Sequence, residues 1–300
     1  MRQTQIGSSG FEAGSLGFGC WRFLGHDLSH AETLIETALD LGMTLIDTAD
    51  IYGFGDAGFG AAEALLGEVL AADPARRGRM VLASKGGIIP PVPYNSSRAN
   101  LIEACEASLT RLGVEQIDLY QIHRPDLLTP WEEVAGALDT LIADGKIGYA
   151  GVSNFTVAQT RALQAHLGAR IVSTQPEFSA LHLQPLEDGT LDWCQETGAT
   201  PIVWSPLAGG RLGEGYSPQA DDPGRLAELH ETLDRLAALY DAQRSDVALA
   251  FLLKHPARPI VLLGTQRPER LGAGRNALAI PLTRQQWYSI LETSRGEPMP

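Results

Sequence analysis

The stretch Ile117-Asp118-Leu119-Tyr120-Gln121-Ile122-His123-Arg124-Pro125 carries the fold. Its first six residues make a short, almost continuously apolar run, the pattern of a strand buried on both faces of a parallel sheet. An ionisable residue, His123, closes the run. Thr129-Pro130-x-Glu132 follows, a capping-box pattern with proline at the first helical position, and predicts a helix start. Trp131, Val134, Ala135, Leu138, Leu141 and Ile142 then recur at i, i+3, i+4, i+7 spacing as one apolar helix face. A second apolar run, Gly148-Tyr149-Ala150-Gly151-Val152, completes a strand, helix, strand unit.

The same unit repeats in both directions. Further strand-like runs are Leu45-Ile46-Asp47, Met80-Val81-Leu82-Ala83, Ile171-Val172-Ser173, Pro201-Ile202-Val203-Trp204 and Ile260-Val261-Leu262-Leu263, with Ser15-Leu16-Gly17-Phe18-Gly19 as a first strand. Between them, Ile102, Cys105, Leu109 and Leu112 form another helical stripe, and Ser29-x-x-Glu32, Thr156-x-x-Gln159 and Thr283-x-x-Gln286 read as capping boxes. Eight strands alternating with helices predict an α/β chain closed into a (β/α)8 TIM barrel, residues 1–300 forming a single domain. A doubly wound open sheet competes, but no G-x-G-x-x-G follows the first strand. Thr4 to Gly10 and Phe11 to Leu16, split by Ser-Ser-Gly, read as an N-terminal β-hairpin capping the barrel's bottom. Pro206 to Gly224 is the one long loop, and Thr283 to Thr293 a final helix.

Composition excludes several function classes. With 36 acidic against 23 basic residues, a net charge of -13 and no Lys/Arg-rich run, the chain is unsuited to nucleic acid. Cys20, Cys105 and Cys194 are scattered, with neither C-x-x-C nor metal spacing, so no metal site is expected and free thiols in a reducing compartment are. The N-terminus lacks an apolar leader and no uncharged run reaches the roughly 18 residues of a membrane span. The sequence therefore reads as cytoplasmic and complete; nothing in it specifies an oligomer.

In such a barrel the active site collects where strands end. Asp47 ends the second strand in Asp47-Thr48-Ala49-Asp50-Ile51-Tyr52-Gly53, Tyr52 sits in the loop beyond it, Lys85 ends the third and His123 the fourth. A phenol with its ordinary pKa of about 10 is a poor proton donor near neutrality, so it needs an ammonium beside it. Lys85 can serve, Asp47 can hold Lys85, and His123 can orient a carbonyl oxygen beside Tyr52. Taken singly, a strand-end His is commonly structural and a lone Lys a surface residue. Four such groups on three adjacent strand ends favour a common task.

These residues resemble the Asp, Tyr, Lys and His of the aldo-keto reductases, most closely the bacterial general oxidoreductase branches, over essentially the whole chain. The resemblance implies NADPH-dependent reduction of aldehydes or ketones to alcohols, with Tyr52 as proton donor and the cofactor bound without a Rossmann motif. It implies that Asp47 adjoins the cofactor, that Ser153, Asn154 and Gln175 hydrogen-bond the nicotinamide carboxamide, and that Trp204 stacks under the ring unless it is simply a core residue. Gly19, Cys20 and Trp21 match a turn whose backbone contacts the cofactor; a reactive thiol at Cys20 is the alternative. Ser205, Leu207, Gly209 and Arg211 match the loop over the pyrophosphate. Gly264, Thr265, Gln266, Arg267 and Arg270 match the adenosine 2'-phosphate site and favour NADPH over NADH, although Gly264 replaces a frequent lysine and Ala273 and Gly274 replace an acidic and amide pair. Trp21, Phe54, Tyr94 and Arg124, with Tyr216 as a further candidate, are expected at the pocket rim and suit aromatic or short polar carbonyl compounds. Two other roles are compatible: a cofactor-binding regulatory module like the β-subunits of potassium channels, or an alcohol or sugar dehydrogenase running oxidatively.

Overall fold

The computed structural model describes residues 1–300. Two short strands, β1 (Gln3–Gln5) and β2 (Glu12–Gly14), pair antiparallel as a hairpin. Eight parallel strands follow: β3 (Leu16–Gly19), β4 (Leu45–Asp47), β5 (Val81–Gly86), β6 (Ile117–Ile122), β7 (Ile147–Ser153), β8 (Ile171–Gln175), β9 (Thr200–Val203) and β10 (Ile260–Leu263). They close in chain order, β10 pairing with both β9 and β3. A closed barrel has no sheet edge, which removes the open-sheet alternative.

Strand alternation builds two cores. Leu45, Val81, Ala83, Leu119, Val172, Ile202, Ile260 and Leu262 point inward and fill the barrel's lower half with Ile6 and Ala13 of the hairpin. The hairpin is tied down by Thr200, whose hydroxyl donates to Gln5 O and accepts from Gly7 N, each at 2.9 Å. It is therefore the expected plug. A separate cluster of 65 buried residues lies between the barrel and its helices. Asp118, a charge inside the apolar run of β6, is satisfied by Arg77 at 2.8 Å and by Leu82 N at 2.7 Å.

Helices α1 (Leu28–Asp40), α2 (Ala61–Ala72), α3 (Arg98–Leu112), α4 (Trp131–Ala143) and α5 (Val157–Gln164) occupy the first crossovers. The capping boxes at Thr156 and Thr283 are present. Two others are not. Asp27, not Ser29, caps α1, because its carboxylate reaches His30 N and leaves Ser29 inside the helix. Thr129 gives its hydroxyl to Asp126 at 2.6 Å, and α4 begins after Pro130 without a side-chain cap. The expected stripe on α3 is also rotated, with Leu101, Cys105, Ser108 and Leu112 buried and Ile102 and Leu109 only partly so. Ser108 can face inward because Arg111 Nη2 donates to its hydroxyl at 3.1 Å. The final helix runs Arg284–Arg295, slightly longer than expected. No helix is long and apolar enough to cross a membrane.

Candidate active site

The period-two alternation that packs Leu45, Ala83 and Leu119 into the lower barrel places Asp47, Lys85 and Gln121 above them on the same inner faces. Lys85 is fully buried and its three ammonium protons are all taken. Nζ donates to Asp47 Oδ2 at 2.7 Å, to Thr48 O at 2.9 Å and to Tyr52 Oη at 3.0 Å. Burial opposes the ammonium form, but the adjoining Asp47 carboxylate outweighs it and holds Lys85 well above its ordinary value. Burial likewise raises Tyr52, against the pull of Lys85, so the phenol stays protonated through neutral pH. His123 sits just beyond β6, its ring 5.8 Å from that of Tyr52 and nearly perpendicular to it. Desolvation, reinforced by Lys85 and Arg124, keeps its imidazole neutral. The four strand-end groups thus meet in one place.

Asp47 is anchored on its other oxygen. Gln175 Nε2 donates to Oδ1 at 2.9 Å, and Gln121 Nε2 approaches the same atom at 3.5 Å. Sequence reasoning missed Gln121. An amide in an otherwise apolar strand, two positions before His123, was the available signal.

Beside this centre, Asn154 takes a left-handed backbone with φ 59°. Its Nδ2 donates to Ser153 Oγ at 2.7 Å and to His123 O at 3.3 Å, while Oδ1 accepts from Trp204 Nε1 at 3.1 Å. Trp204 is half-buried and lies under the Arg124 guanidinium, 5.9 Å from ring centre to carbon. The indole therefore belongs to the barrel mouth. Arg124 makes no hydrogen bond or ion pair through its guanidinium.

At the first turn, Cys20 is completely buried, and burial pushes its thiol far up. A buried thiol held in its neutral form is a poor nucleophile. Trp21 is 65% exposed and stands edge-on to Tyr52 at 5.0 Å. Phe54 and Tyr94 are exposed, at 55% and 38%. Leu127 and Leu128, 79% and 93% exposed after His123, extend this apolar rim and were not anticipated.

The long loop is folded on itself. Arg211 Nε donates to Asp222 Oδ1 at 2.6 Å, and Tyr216 Oη to Asp222 Oδ2 at 2.7 Å. Arg211 and Tyr216 are thus engaged within the loop instead of standing free for a ligand. Ser205 accepts from Gly209 N at 3.1 Å, while Leu207 opens the turn containing Gly209. After β10, Gly264 lies against Gly19 of β3. Arg267 precedes a short helix, Pro268–Gly274, its backbone N donating to Thr265 Oγ1, and neither the Arg267 nor the Arg270 guanidinium is in an ion pair. Gln266 O receives His30 Nε2 at 2.9 Å, and its buried side-chain oxygen has no partner.

A model of the Aldo/keto reductase family matches residues 15–295. A 6-dehydroglucose reductase of Novosphingobium aromaticivorans is 46% identical over 99% of this chain and 96% of its own. A protein of the same name from Agrobacterium fabrum is 35% identical over 97% of each chain, and the Escherichia coli oxidoreductase YdhF is 35% identical over the full length of both. Among solved structures, the thermostable aldo-keto reductase Tm1743, crystallised with the inhibitor epalrestat, superposes with a TM-score of 0.81 at 28% identity. That match covers 98% of this chain and all of the other.

Proposed function

The chain belongs to the aldo/keto reductase family and is an oxidoreductase of the carbonyl-reducing type; from that premise we propose that it reduces the aldehyde of a sugar-derived substrate with NADPH. The observation that carries the reading is Lys85 Nζ held between Asp47 Oδ2 and Tyr52 Oη. The donor set fits a nicotinamide cofactor: the Asn154, Ser153 and Gln175 polar groups suit its carboxamide, Trp204 offers a ring face, and Arg267 and Arg270 are unpaired cations for a 2'-phosphate. When bound, that cofactor supplies the hydride that adds to the carbonyl carbon.

The protein's own groups do the rest. Neutral His123 orients the carbonyl oxygen beside Tyr52, and Tyr52 Oη gives it the proton as the C=O becomes an alcohol. The tyrosinate left behind rests on the Lys85 ammonium and regains its proton from solvent. Asp47 keeps that ammonium in line.

Two relatives named for a sugar oxidised at carbon 6 favour a polyhydroxylated aldehyde. The exposed Trp21 face suits a sugar's C–H surface, and the unpaired Arg124 suits its hydroxyls. The test is NADPH consumption with a hexose bearing an aldehyde at carbon 6 and with a panel of aromatic aldehydes, beside Tyr52→Phe. Turnover should fall by about 10²- to 10⁴-fold in the variant while NADPH still binds. Undiminished turnover would refute the role of Tyr52; preference for the aromatic compounds would refute the sugar.

A further inference from the structure

Behind Lys85, on the outer face of β5, lies a polar cluster that this mechanism does not use. Alternation turns Lys85 into the barrel and Ser84 and Gly86 out toward the helices. Ser84 Oγ donates to Glu63 Oε1 from α2, and Arg111 of α3 grips Glu63 Oε2 through Nε at 2.8 Å and Nη2 at 2.6 Å. Asp50 adds a second carboxyl. It is wholly buried, and no side-chain donor reaches either of its oxygens; the backbone N–H of Ile51 is the one hydrogen-bond donor near enough to favour its charged form. Tyr120 Oη, also buried and without a partner, converges with it on Gly86: a Cβ built there would lie 2.0 Å from Tyr120 Oη and 3.4 Å from Asp50 Oδ2.

The charges do not balance if both acids are ionised. The titratable groups facing Asp50 are Glu63 from α2, Arg111 and, through Tyr120, Cys105 from α3, Lys85 from β5 and Tyr120 from β6. Arg111 is committed to Glu63, and Lys85 points inward to Asp47. A buried carboxylate with one backbone N–H for support and a second carboxylate beside it keeps a proton instead, because desolvation and the neighbouring charge outweigh that single donor. Burial, with the Glu63 charge adding to it, accordingly pushes Asp50 up to about 8.

Asp50 also has mechanical leverage on the site. Thr48 N donates to Ala83 O at 2.9 Å and Asp50 N to Lys85 O at 3.1 Å, while Lys85 Nζ returns to Thr48 O. These bonds lace Thr48–Tyr52 onto β5 and set Tyr52 Oη against Lys85. We propose that Asp50 is a positioning residue for the Lys85–Tyr52 couple: as a neutral acid it lets this segment lie against the buried wall, and when it ionises the segment draws away toward water and Tyr52 loses its alignment. The inference rests on the catalytic reading of Tyr52 and Lys85 given above.

Two measurements on the full-length protein test it. Infrared titration with ¹³C-aspartate label, without substrate, should show a protonated aspartic carbonyl at pH 6.5 that fades around pH 8 and is missing from Asp50→Asn. The pH profile of kcat/KM with NADPH should fall on the alkaline side near pH 8, and in Asp50→Asn that fall should move up by at least one unit. No such band in the wild-type protein overturns the proposal even if the variant does not fold, and so does an alkaline limb identical in the two proteins. Failure of the catalytic reading registers elsewhere, as turnover retained in Tyr52→Phe.

Discussion

Replacing Gly86 by alanine isolates one contact behind Lys85. Gly86 lies outside the left-handed region, so alanine is allowed there by the backbone and the penalty is steric. The new Cβ would stand 2.0 Å from Tyr120 Oη, and Tyr120 is fully buried and cannot swing into solvent. Overpacking of this kind costs about 1–3 kcal/mol. Against it, alanine restricts the unfolded chain and returns about 0.4–1 kcal/mol. The clash wins, leaving a net loss of about 1–2 kcal/mol. For 300 residues an unfolding entropy of about 0.6 kcal/mol/K makes this a Tm drop of roughly 2–3 °C.

The rescue is specific. Tyr120→Phe removes the clashing atom, and the nearest remaining one, Cζ, lies 3.1 Å away. Because that hydroxyl has no partner, its loss alone should change stability by under about 0.5 kcal/mol. Urea melts of the two single variants and the double should therefore give a coupling of about 1–2 kcal/mol, the double melting close to Tyr120→Phe. Independent, additive losses would show that Tyr120 does not close the outer wall of β5 as described.

Other outcomes follow from the same geometry. Lys85→Met leaves the Asp47 carboxylate buried beside an apolar chain; thermal melts should show about 3–5 kcal/mol lost, along with turnover, whereas a near-native melt would mean the pair is not truly buried. Stability should respond to pH through Asp50. Its folded value lies above its unfolded one, so its contribution is complete below about pH 4 and is lost as pH rises through about 8. Urea melts across that window should be flatter in Asp50→Asn by a few kcal/mol, and parallel curves would contradict the assignment. Arg270→Ala should weaken NADPH by about 10- to 150-fold, the equivalent of ~1.5–3 kcal/mol for a charged hydrogen bond, and leave NADH unchanged; equal losses for both would place the residue away from the phosphate.

The sequence by itself determined the barrel and pointed to the residues of the proposed catalytic site, because both are written locally. Near-continuous apolar runs, helical stripes between them and the hairpin at Thr4 to Leu16 each report on a few neighbouring residues, and a barrel of parallel strands is what such units can close into. Asp47, Lys85 and His123 were legible for the same reason: each ends a run. What the tertiary structure decided is partnership. Gln121 and Gln175 reach Asp47 across 74 and 128 residues of chain, and Asp50 shares a wall with Glu63, Arg111 and Tyr120, drawn from two helices and another strand. Even the local errors were of this kind. Ser29 lost the cap of α1 to Asp27, Thr129 turned to Asp126, and Ser108 displaced Leu109 on α3. A hydroxyl, guanidinium or carboxylate has several donors or acceptors within reach of its side chain, and only packing, by burying some and exposing others, fixes which one it keeps.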